Sequence, residues 1–171
     1  MLLGFAAVTV TGGVAMSIGT TDTLRAMITG DPNCILDADD FDWYVTMETE
    51  EVLKATPVVG TGQCVPLVEA KTAAPNHTQW RKGPLVKDNE AVPAGTAIAA
   101  GWDADGLYLN HPTGNHAAIY LSATDAGLVV VDQFKGINLR KQRPRMLRFG
   151  DRNNAPVNDG NAFHVIVTPR Q

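Results

Sequence analysis

Gly114–Phe134 reads GNHAAIYLSATDAGLVVVDQF, two apolar runs around a turn-rich centre, and the fold turns on how it pairs. His116-Ala117-Ala118-Ile119-Tyr120-Leu121 and Leu128-Val129-Val130-Val131-Asp132 have strand character, and Ser122–Gly127 supplies turn formers, so the segment predicts an antiparallel hairpin. With pairing centred near Thr124, Ala118 faces Val130, Tyr120 faces Leu128 and His116 faces Asp132. All six lie on one side, because side chains alternate with period two. An imidazole beside a carboxylate is held in one tautomer and stabilised when protonated, which is the orienting part of a catalytic triad. A slip of one residue would separate the two groups onto opposite faces.

Upstream, Gly60-Thr61-Gly62-Gln63-Cys64 runs into VPLVEAKTAA. Glycines that end a loop, followed by an apolar run, predict a helix with Cys64 in its first turn, where Pro66 costs nothing because the N–H groups there have no partner inside the helix. The same unpaired N–H groups and the helix dipole stabilise a thiolate. A histidine beside a strand is, alone, more often a hydrogen-bonded structural residue, and a free cysteine more often a buried small hydrophobe. The conjunction is stronger: Cys64 at a helix start, His116 at a strand start and Asp132 across the hairpin have the logic of nucleophile, base and orienter.

Further short strands are expected at Thr96–Ala99, after the Pro93-Ala94-Gly95 turn, and at Phe163–Val167. Between helix and strands lies the polar loop Asn76–Gly83, which carries Trp80. One helix followed by four short strands predicts an α+β domain with the helix packed on an antiparallel sheet. A second, short helix is expected over Asp22–Gly30, where Leu24, Met27 and Ile28 have helical spacing.

A chain of 171 residues fits one domain, and 44% hydrophobic with 19% charged residues argues against disorder. A net charge of −4 provides no global field for nucleic acid. Arg140, Lys141, Arg143, Arg145 and Arg148 are a local exception, read either as a solvated basic strand or loop or as a contact for an anionic polymer. Two cysteines, Cys34 and Cys64, allow at most one bridge, and they do not suit a zinc site. The acidic run Asp37, Asp39, Asp40 and Asp42 lacks the glycine and glutamate of a calcium loop at the required spacing, so neither metal nor cofactor is expected. Met1–Thr21 has the apolar character of a signal peptide without its preceding Lys or Arg, and is too rich in glycine for a good membrane-spanning helix. Its Val and Thr content also suits a buried strand pair, and an ordered segment is expected.

Gly62-Gln63-Cys64 opening a helix, followed about fifty residues later by Gly114-Asn115-His116-Ala117-Ala118-Ile119-Tyr120, resembles the NlpC-like and CHAP (cysteine, histidine-dependent amidohydrolase/peptidase) groups of papain-like enzymes. GTGQC, Trp80-Arg81-x-Gly83, GTAIA, GNHAAIYL and VVDQF together are similar to a small proteobacterial NlpC-like family. The resemblance covers Val58–Val167 and implies a papain-like fold with Cys64 as nucleophile, His116 as general base and Asp132 as the third polar residue. Many relatives carry His, Glu or Asn in that third place, so Asp132 departs from them.

On this reading residues 56–171 form the catalytic core and 1–55 an N-terminal extension, compact with it. The expected activity is cleavage of peptidoglycan amide bonds, as amidase or endopeptidase, with the stem peptide as substrate. An antibacterial effector or phage-associated role, delivery to the bacterial periplasm or wall, and an inhibitor or immunity protein as partner would accompany it. Neither nucleic acid nor membrane is an expected partner. Gln63 is a candidate oxyanion donor and Trp80 a candidate wall of the substrate groove. His77, His111 and His164 are read as peripheral, and Gln133 as pointing away from Asp132. Two alternatives stand beside the first: a papain-like hydrolase or acyltransferase acting on another amide, and a non-catalytic module in which Cys64 is structural or bridged to Cys34.

Overall fold

A computed structural model describes residues 41–134, 144–153 and 156–169, together with the backbone of two short strand pieces, β1 (Ala7–Val8) and β2 (Met16–Ser17). These two pair antiparallel, Ala7 with Ser17 and Val8 with Met16. The expected helix over Asp22–Gly30, the acidic residues Asp37, Asp39 and Asp40, Cys34, and the cations Arg140, Lys141 and Arg143 lie outside the described residues.

In chain order the remaining elements are β3 (Phe41–Trp43), α1 (Glu50–Ala55), α2 (Cys64–Thr72), β4 (Arg81–Leu85), β5 (Ala97–Ala100), β6 (His116–Thr124), β7 (Gly127–Val131), β8 (Pro144–Arg148) and β9 (His164–Pro169). All seven strands from β3 on join one antiparallel sheet in the order β3-β9-β5-β6-β7-β8, with β4 also on β9. Val167 pairs with both Trp43 and Arg81, and His164 with both Ala99 and Leu85. β4 therefore follows one edge of β9 while β5 and β3 share the other. The α+β class expected from the sequence holds, with seven strands in this sheet where four were expected. Residues 41–55 fold with the core: β3 pairs with β9, and Leu53 of α1 is fully buried.

Strand alternation divides the interior into two layers. Ala97, Ala99, Ala117, Ile119, Val131 and Ile166 face one way and meet Cys64, Val65, Leu67 and Val68 of α2. The three alanines are small, so α2 can approach the sheet backbone closely and still exclude water. Ile98, Ala118, Tyr120, Leu128, Val130, Leu147, Phe163 and Val165 form the second layer on the reverse face. At the far end of α2 the αL residue is Ala73 (φ 58°) rather than a glycine. Gly101 matters more for the site: its φ is +84°, and an added Cβ would lie 2.1 Å from the carbonyl oxygen of Gly114, two residues before His116. Only glycine fits that close approach.

The hairpin corrects the sequence reading in its register. β6 and β7 meet through a two-residue turn, Asp125-Ala126, with Thr124 opposite Gly127, Ala123 opposite Leu128 and Ser122 opposite Val129. A bulge then places one extra residue, Leu121, in β6, and beyond it Tyr120 pairs with Val130 and Ile119 with Val131. Tyr120 was expected opposite Leu128, two residues away. An even displacement keeps the face, so Asp132 still lies on the side of His116, as a diagonal rather than a direct neighbour. Without the bulge the parity would be odd and the two side chains would point apart.

Candidate active site

The loop before α2 turns at Gly62, whose φ of 77° favours glycine and whose N–H reaches the Val59 carbonyl at 3.1 Å. Gln63 is extended at the helix N-cap (φ −87°, ψ 165°) and makes no side-chain cap bond, so Cys64 is the first helical residue. That is the position expected for it. Cys64 is a free thiol, 7% exposed, at the base of a cleft of about 970 Å³ that Gln63, His77, Asn115, His116, Arg145 and Asn158 also line.

His116 opens β6, and its Nε2 lies 2.6 Å from Asp132 Oδ2. With Nε2 taken by Asp132, Nδ1 is the ring nitrogen left for Cys64, and imidazole and thiol each favour the charged form of the other. Phe134 and Phe163 meet the ring edge to face, with centroids 5.8 and 6.4 Å away. These contacts fix the ring plane and keep water from the His116–Asp132 bond.

Charges in the site alternate. Burial pushes the Cys64 thiol up, but the hydrogen bond and charge of His116, the backbone N–H of Ala117 and the Tyr108 hydroxyl outweigh it and hold the thiol below its ordinary value. Burial would lower His116, yet its bonds to Asp132 and Cys64 and the charges of both push it up to about 9. Asp132, which burial would raise, is held low by His116 and Arg145. The directions together favour a thiolate–imidazolium pair resting on a carboxylate.

Two members of this cluster escape the sequence reading. Arg145 of β8 donates from Nε to the same Asp132 Oδ2 at 2.6 Å, donates from Nη1 to Asn158 Oδ1 at 3.2 Å, and lies 5.4 Å above the Phe134 ring centre. It belongs to the basic stretch read as a solvated strand or anionic-polymer contact, and strand pairing turns it inward instead. Tyr108 is 2% exposed, and its hydroxyl lies 3.9 Å from the Cys64 sulfur. Burial, followed by the Cys64 charge, raises its pKa, so it stays protonated and can donate to the sulfur. Only its place in a polar loop, DGLYLN, could have marked it.

Trp80 requires a correction. It is 0% exposed, donates from Nε1 to the Pro75 carbonyl at 2.8 Å and packs on Tyr108 with centroids 5.1 Å apart. It therefore braces Tyr108 from within rather than forming a wall of the groove. Gln63 does line the cleft with an exposed side chain. His77, read as peripheral, has its ring against Tyr108 and its backbone N–H on Glu69 Oε1 at 3.0 Å. His164 hydrogen-bonds the Gly83 carbonyl at 2.9 Å, away from the cleft. Among the described residues no group of three or more His, Cys, Asp or Glu is placed to hold a metal.

Comparison with known proteins gives the same outline. The sequence pattern of the domesticated amidase effector 2 family (Dae2) matches residues 42–166. A type VI secretion amidase effector 2 protein of Salmonella typhi is 36% identical over 86 residues, which are 50% of this chain and 63% of the relative's length. The solved structure of type 6 secretion amidase effector 2 (Tae2) superposes with a TM-score of 0.62 at 27% identity, over 74% of this chain and 95% of that one.

Proposed function

The chain belongs to the domesticated amidase effector 2 family, and from that premise we propose that it is a cysteine amidase that hydrolyses amide bonds of peptidoglycan. One observation carries the reading: a buried imidazole 2.6 Å from a buried carboxylate lines the same cleft as a thiol at a helix start. In this reading Cys64 Sγ attacks the scissile carbonyl, and the backbone N–H of Cys64 and the Gln63 amide receive the oxyanion. A well-placed oxyanion donor contributes about 3 to 4 kcal/mol to such a step. The His116 imidazolium then gives its proton to the leaving amine, and the C–N bond breaks to leave a thioester. Neutral His116 takes a proton from water as the water oxygen adds to the thioester, and collapse of that adduct releases the carboxylic acid and the Cys64 thiolate beside the imidazolium so formed. Asp132 remains ionised throughout and holds the imidazole in register.

The names of the relatives speak of type VI secretion and of amidase effectors, which supports delivery to a target cell's periplasm and an antibacterial role. A dedicated immunity protein that closes the cleft is the partner such a role calls for. Kinship with the NlpC-like and CHAP groups, and with papain-like folds at large, is supported by the order of cysteine helix, histidine strand and carboxylate along the chain.

Purified sacculi digested in water enriched in oxygen-18 test the reaction class. Amide hydrolysis places one heavy oxygen in a newly formed carboxyl group, with a free amine on the other fragment. Cleaved glycan with intact peptides, or no products, would contradict the reading.

A further inference from the structure

Gln133 is 1% exposed, and its amide grips the loop that delivers the cysteine. Its Oε1 accepts from the Val59 N–H at 3.1 Å, while Nε2 donates to the Val59 carbonyl at 2.8 Å and to the Gln63 carbonyl at 2.7 Å. Those bonds span 74 and 70 residues of sequence. The loop they hold contains Gly60 (φ 54°) and Gly62 (φ 77°), residues that set little conformation by themselves. Gln63 caps α2 without a side-chain bond, so its extended backbone is fixed from outside.

Alternation places Gln133 on the opposite side of the chain from Asp132. One side chain holds the base and the next holds the loop of the thiol. We propose that Gln133 is the positioning residue of the nucleophile: by binding the Gln63 carbonyl it sets the peptide plane before Cys64, aims the first helical N–H groups at the sulfur and keeps the Cys64 N–H free for the oxyanion. The inference rests on the reading of Cys64 as nucleophile. Misplacement of about 1 Å at such a position lowers turnover by about 100-fold.

The test uses the full chain in a Cys34→Ser background, so that Cys64 is the sole thiol. Gln133→Met keeps the volume and removes the hydrogen bonds to Val59 and Gln63. With a soluble muropeptide its kcat should fall about 10- to 100-fold while KM stays within about twofold. The pH profile of iodoacetamide alkylation at Cys64 should move to higher pH. Ile98→Val, buried in the opposite layer, should be less stable yet keep the wild-type profile. If Gln133→Met matches wild type in kcat and alkylation, the proposal is overturned. A readout on the unmutated protein guards against a variant that does not fold: the Val59 amide should exchange its hydrogen as slowly as strand amides, and exchange at a free-loop rate overturns the clamp. Retained hydrolysis in Cys64→Ala would instead overturn the catalytic reading beneath it, leaving Val59 protection unchanged.

Discussion

A single oxygen, Asp132 Oδ2, receives both the His116 ring and the Arg145 guanidinium, each at 2.6 Å. Asp132→Asn would present an amide to the ring, with a donor that repels the N–H now pointing at it, and would favour the wrong tautomer. Turnover should fall between about 100-fold and 10,000-fold with the fold retained, measured on muropeptide release. Arg145→Gln acts one step further out. It removes a charge that holds Asp132 ionised, so the acid limb of the pH–rate profile should move upward, with a smaller loss of kcat than Asp132→Asn; an unmoved acid limb would count against the role of Arg145. The approach of His116 and Asp132 is legible in the sequence because both sit on a short hairpin with alternating faces. Arg145 is not, since it enters through the pairing of β8 with β7, which no local pattern announces. Trp80 shows the same limit from the other side: an aromatic residue in a polar loop reads as exposed until the packing of Tyr108 is known.

Among the elements, α2 and the β6–β7 hairpin determine whether those residues meet. Helix start signals around Cys64 are local and strong, and α2 begins at the residue expected. The hairpin centre is misread because the Leu121 bulge has no signature in IYLSAT, a stretch that reads as uninterrupted strand and turn. Its consequence is large, since the extra residue restores the parity that brings Asp132 to the His116 side. α2 is held on the sheet by Leu67 and Val68 against the alanine surface. Leu67→Ala should lower the free energy of unfolding by about 2 to 5 kcal/mol in urea denaturation, as expected for a fully buried leucine. A change below about 1 kcal/mol would mean that α2 is not anchored there.

Over the whole molecule, the ionisations of His116 and Asp132 also contribute to stability. His116 is raised from 6.5 to about 9, so its contribution is fully present below the unfolded value and is lost as pH rises through about 9. Asp132 is lowered, so its contribution is present above the ordinary carboxylate range and is lost as pH falls through its folded value. The melting temperature of wild type should therefore fall relative to Asp132→Asn as pH rises from about 6.5 to above 9, and a constant difference between the two would refute the coupling. The class of the fold is readable from the run of short strands after one helix, whereas the placement of β9 between β4 and β5 depends on pairings between distant parts of the chain. The central claim is that Cys64 is the nucleophile, and the most direct measurement is muropeptide release from purified sacculi by wild type and by Cys64→Ala, with matched circular dichroism. Wild type should release peptide fragments while Cys64→Ala releases none above the enzyme-free blank; a folded Cys64→Ala protein that keeps more than a few per cent of the wild-type rate would contradict the account.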